Sequence, residues 1–177
     1  MEQSNLDKYF QSVINAIDLL HQNKLMGQAL TVMYSTIDAC GLLNAPASQE
    51  KATGKTFKSW VNQYMLTSDV LECNAEDLWG ARCAVLHTHT SASDLSKAAT
   101  VREIQYVSGP PGHPLVEAFI SASKDIGNGN SIGVNIDLLV IDFLKAIGKF
   151  SKEFSELAAH SEACRNRASK ILQHFAM

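Results

Sequence analysis

The stretch IDLLVIDFLKAIGKFSKEFSEL, residues 136–157, decides the fold. Ile136, Val140, Phe143, Ile147, Phe150, Phe154 and Leu157 recur at steps of four and three, the spacing that stacks side chains on one face of an α-helix. The same steps continue through Ser161, Cys164, Ala168, Ile171 and Phe175. An unbroken helix over that span would be about 60 Å long at about 1.5 Å per residue, longer than a domain of this size needs. The expectation is therefore a kink near Gly148 or within residues 158–162, or a helix that protrudes toward a partner. The plainer alternative for any one residue of the stripe is a core helix or a helix hairpin.

Working upstream, Leu6, Phe10, Val13, Ile17 and Leu20 repeat the pattern, with Ser4 or Asn5 as the cap. Met26, Leu30, Met33, Ile37 and Cys40 repeat it again, and Gly41 with Asn44, Ala45 and Pro46 supplies a stop. The short QNK link makes these two helices antiparallel. Residues 45–56, APASQEKATGKT, are small and polar and read as a loop; a third helix then carries Phe57, Trp60, Val61, Tyr64 and Met65. Asn74, Glu76 and Asp77 open a fourth helix whose inward face is Leu78, Ala81 and Val85 and which frays near Thr90 to Ser93.

Between these helices and the 136–157 stretch the pattern changes. Val101 to Val107 alternates and reads as a strand that SGPPGHP breaks, and SIGVN reads as its short partner. LVEAFISASK, residues 115–124, fits both templates; its length and the DIGNGN turn after it favour a helix. The fold class is mainly α: one domain over residues 1–177, a helical bundle with a long C-terminal helical region and at most a small two-stranded β insertion.

Composition narrows the function. The chain has 177 residues, 46% hydrophobic and 19% charged, enough for one ordinary core. A formal charge of -3 gives no general attraction for nucleic acid, so any phosphate contact must come from a local cluster. Cys40, Cys73, Cys83 and Cys164 show no C-x-x-C spacing and read as reduced thiols, which argues against structural zinc. MEQSNLDKYF has no apolar signal region, and no stretch of about 18 apolar residues occurs. The expectation is a soluble cytoplasmic protein that does not enter a membrane.

Residues 77–94, DLWGARCAVLHTHTSASD, hold the candidate chemistry. A guanidinium and two imidazoles on one short apolar helix are costly to bury without partners. On a regular helix His89 lies within about 20° of Arg82 and His87 is turned by about 140°, which slightly favours His89; unwinding before Thr88 and Ser91 would turn the His87 ring toward Arg82 of the same or another chain. The bland assignments are an ion pair of Arg82 with Asp77 or Asp38 and a satisfied rim histidine at His87. Elsewhere GKT, residues 54–56, lacks the earlier glycine of a phosphate loop, since position 49 is Gln49. His160 and Cys164 at i, i+4 are a lone pair on an amphipathic helix.

The run R-C-A-V-L-H, residues 82–87, resembles the R-x4-6-H motif of the HEPN superfamily, and the helical surroundings over roughly residues 5–157 resemble it too. The resemblance implies a small helical bundle whose two protomers turn both motifs toward one cleft. Many such proteins are metal-independent endoribonucleases of toxin–antitoxin, abortive-infection or RNA-guided defence systems; others bind nucleotides or only dimerise. It implies Arg82 and His87 as catalytic residues, with His89 as helper or substitute; Asp38 on the second helix and Asp77 are the acids placed to support Arg82. It also implies RNA as substrate, a homodimer, an antitoxin or inhibitor protein as partner, and no metal or cofactor. This chain has Cys83 where many catalytic members carry Asn or Asp. It has His89 where members adenylylated by their partner carry a tyrosine. The chemistry is coherent: an imidazole takes a proton near neutral pH, and arginine's planar fork stabilises the pentavalent phosphate.

Overall fold

The computed structural model describes residues 5–68, 70–126 and 128–171; the expected cap Ser4 and the final stripe residue Phe175 lie outside them. Helix α1 (Asn5–Gln22) buries Leu6, Phe10, Val13 and Ile17, and a turn with Lys24 at φ 57° leads into α2 (Met26–Leu43). Helix α2 is the centre of the bundle. It buries Ala29, Tyr34, Thr36 and Gly41 besides Leu30, Met33, Ile37 and Cys40 of the expected stripe, whose first member Met26 is half-covered, and touches α1 as well as later helices on other sides. A helix apolar on most of its circumference belongs in a core, which the single stripe understated.

Gly41 does not stop α2, which continues to Leu43. Its role is close approach: a Cβ there would lie 2.7 Å from the Thr56 carbonyl oxygen of α3 (Gly54–Trp60). That helix starts inside the expected loop, because Thr53 and Thr56 form a reciprocal cap, each side chain accepting from the other's backbone N–H. A π-helical segment, Val61–Met65, follows and turns Val61, Tyr64 and Met65 inward.

Helix α4 (Ala75–Thr88) opens as expected, with Asn74 accepting from Asp77 N and Asp77 accepting from Asn74 N. Leu78, Ala81 and Val85 are all buried. One turn of helix, α5 (Asp94–Lys97), precedes strand β1 (Glu103–Val107). Helix α6 (Pro114–Ile126) then crosses to strand β2 (Ser131–Asn135), which pairs with β1 in parallel from Glu103↔Ser131 to Val107↔Asn135. Parallel pairing requires such a crossover, so the ambiguous 115–124 segment is helical. Gly133 lets α6 lie directly on β2, since a Cβ would come within 2.6 Å of Ile120 Cα.

The decisive stretch is helix α7 (Ile136–His160), continuous through Gly148. Phe150 is fully buried, with the rings of Phe10, Trp60 and Tyr64 at 5.9, 5.8 and 5.1 Å. The break falls within residues 158–162: Ser161 is extended and its hydroxyl caps α8 (Glu162–Ala168) by accepting from Cys164 N. Cys164 re-enters the core, whereas Leu157 is 43% exposed and lies outside it. Among the described residues no helix is long and apolar enough to cross a membrane.

Candidate active site

Helix α4 buries its Leu78, Ala81, Val85 face and leaves Trp79, Arg82, Cys83 and Leu86 half-covered on the other. These four stand at i, i+3, i+4 and i+7, so they form one narrow stripe. Arg82 lies over the Trp79 ring, its Cζ 5.0 Å from the centroid. Trp79 was not singled out in the sequence, although its place one turn before Arg82 was the available signal. Behind the indole sits Phe57, 5.4 Å away, so the platform is anchored to α3.

Arg82 pairs with Asp38 of α2: Nη2 donates to Oδ2 at 2.6 Å and Nε donates to the same oxygen at 2.9 Å. The two side chains are only 20% and 15% exposed, so the pair is largely shielded from water. Burial pushes the Asp38 carboxyl above its ordinary range, and the hydrogen bonds and charge of Arg82 oppose that shift. Nη1 is turned the other way and stands 3.5 Å from His87 Nε2.

His87 is exposed in the last turn of α4, and it is the histidine that meets Arg82; the helix runs regularly to Thr88, so the expected unwinding is absent and the reach of the two long side chains brings them together. His89 does not share the helix. It is the C-cap, left-handed at φ 51°, its backbone N–H donating to Val85 O, and its side chain is exposed beyond the turn. The regular-helix angle that placed His89 above Arg82 therefore has no helix to act on.

Asp77 stands apart from this group. It is 2% exposed, closes the α4 cap and accepts from the Arg102 backbone N–H at 3.0 Å and Nη2 at 2.5 Å, tying β1 to α4. A second polar cluster joins His21, Ser108 and Asp137, with His21 Nε2 2.5 Å and Ser108 Oγ 2.9 Å from the two carboxylate oxygens. The carboxylate lies between the other two, so the serine bonds the acid and not the histidine; the cluster pins the 108–113 loop to α7. His160 and Cys164 fall on different helices, and among the described residues no three His, Cys, Asp or Glu side chains gather as metal ligands.

The site thus consists of a shielded guanidinium fixed by one carboxylate, an aromatic platform beneath it and an exposed imidazole whose Nε2 stands 3.5 Å from the free end of the guanidinium. Such a group can hold a phosphate oxygen and take a proton from a neighbouring hydroxyl. No protein-family model, curated protein or solved structure matches the chain.

Proposed function

We propose that the chain is a HEPN-like, metal-independent endoribonuclease that acts as a cytoplasmic homodimer in a toxin–antitoxin or defence setting, with an antitoxin or inhibitor protein as its partner. The observation that carries the reading is the approach of Arg82 Nη1 to His87 Nε2, two groups with complementary tasks in RNA cleavage. His87 Nε2 takes the proton of a ribose 2′-hydroxyl, and the oxygen attacks the adjacent phosphorus. The P–O2′ bond forms and the P–O5′ bond breaks, leaving a 2′,3′-cyclic phosphate and a 5′-oxygen that takes a proton from water; the hydroxide so formed takes back the proton held by His87. Arg82 neutralises the charge that builds on the non-bridging oxygens, and Asp38 holds its fork in place. Half-covered Leu86, one turn beyond Arg82 on α4, supports a second protomer docking beside the site, which would bring two such sites to one cleft.

A second reading draws on the same pair. Arg82 is matched by an acid, which suits a catalytically silent helical dimerisation or nucleotide-binding module. Incubation of the purified protein with single-stranded RNA in EDTA separates the two. The nuclease leaves 2′,3′-cyclic phosphate ends and loses activity in Arg82→Ala; the silent module cuts nothing. Light scattering at tens of micromolar gives a dimer on either reading, and a clean monomer removes the shared cleft.

A further inference from the structure

His87 has a second neighbourhood besides Arg82. It borders an open depression of ≈ 580 Å³ between the end of α4 and the turn of α5. Ala84 is buried beneath it, Cys83, Trp79 and Leu95 line it half-covered, and His87 and Lys97 are exposed at its margin. The lining is mainly apolar. Lys97 already has Asp94 3.6 Å away, so the depression offers no strong charge to an ionic ligand. It suits a flat, uncharged aromatic group.

Covalent geometry says which group that is. With the scissile phosphate on Arg82 and the attacking 2′-hydroxyl at His87, the base on that ribose is held within one nucleotide of His87. Arg82 Nη1 stands 3.5 Å from the imidazole, and the same His87 side chain borders the depression. We propose that this depression is a base subsite, holding the nucleobase of the ribonucleotide whose 2′-hydroxyl His87 activates. A base can enter it only when splayed from its neighbours, so the subsite selects single-stranded RNA over duplex. The inference rests on the ribonuclease reading and adds a substrate determinant to it.

Two perturbations test it from opposite sides. Ala92, half-covered and on the lining, becomes tryptophan to fill the space (Ala92→Trp), and the RNA carries an abasic ribonucleotide on the 5′ side of the scissile bond. Seating one base is worth about tenfold or more in kcat/KM, the scale of base–aromatic stacking. The parent should lose that factor on abasic RNA, Ala92→Trp should lose it on intact RNA, and the variant should lose little more on abasic RNA. Equal cleavage of abasic and intact RNA by the parent overturns the subsite, and that arm needs no variant to fold. Cleavage of intact RNA by a folded Ala92→Trp at the parent rate overturns it as well. A parent that neither cuts nor binds any RNA removes the ribonuclease reading itself, a different result from cleavage without base dependence.

Discussion

Removing the carboxylate at position 38 is the perturbation that best tests the geometry of the site. In Asp38→Ala, Arg82 loses both hydrogen bonds to Oδ2, at 2.6 and 2.9 Å, while its charge stays in a place only 20% exposed. Exposed ion pairs contribute about 0.2–1 kcal/mol, and breaking a fully buried pair costs about 3–5 kcal/mol. This pair lies between those limits, and the Trp79 ring remains beneath the cation. A loss of about 2–3 kcal/mol follows, in line with hydrogen bonds to charged groups. For a chain of 177 residues that is about 4–12 °C in Tm. Urea denaturation followed by circular dichroism gives the stability change. The cycle with Arg82→Ala isolates the pair, and its coupling should be about 1.5–3 kcal/mol, with the double variant more stable than the two single losses add up to. A single-variant loss below about 0.5 kcal/mol with no coupling would show that Asp38 does not hold Arg82, and the site would lose its fixed cation.

Three other outcomes follow from the packing. Gly41→Ala places a methyl 2.7 Å from the Thr56 carbonyl and should cost about 1–3 kcal/mol despite the better helix propensity of alanine; a raised Tm would contradict the α2–α3 contact. Burial raises the Asp137 carboxyl, but His21, the Gly109 N–H and the Ser108 hydroxyl outweigh it and hold the group below its ordinary range. Its contribution is therefore complete above about pH 4, the unfolded value, and is lost as pH falls through the lower folded value. The urea midpoint of the parent should drop more between about pH 5 and 3 than that of Asp137→Asn, and parallel curves would refute the cluster. Burial pushes the Cys40 thiol up and raises Cys73 to about 12, aided there by Asp77, while Cys83 is half-exposed on α4. Maleimide labelling of the native protein, read by mass spectrometry, should find Cys83 first; rapid labelling of Cys40 would contradict the central place of α2.

Much of this architecture is legible because burial has a period. The stripes of α1 and α7 and the Asn74–Asp77 cap are local patterns, and each reappears as a helix face or a helix start. The pattern misleads where neighbouring helices share it. Spacing by four and three passes through Ser161 without a gap, yet Ser161 both ends α7 and caps α8. Leu157, in register with the stripe, is exposed. Helix α2 hides its central position because a helix covered on most sides has no polar face to mark the covered one. At the site, Arg82 and His87 are visible as residue types, but the choice of acid is tertiary. Asp77, five residues from Arg82, is taken by Arg102, and Asp38, 44 residues away, is brought in by the crossing of α2 and α4. The preference of His87 over His89 depends on where the helix ends, which the positive φ of His89 decides.

On the proposed reading, His87 beside Arg82 is the base of a metal-free RNA cleavage site. The most direct measurement compares His87→Ala with His89→Ala on one single-stranded RNA in EDTA. Loss of a general base commonly costs about 10²–10⁴ in rate, so His87→Ala should be inactive by that margin while His89→Ala cuts at the parent rate. Cleavage by both variants at the parent rate would contradict the account.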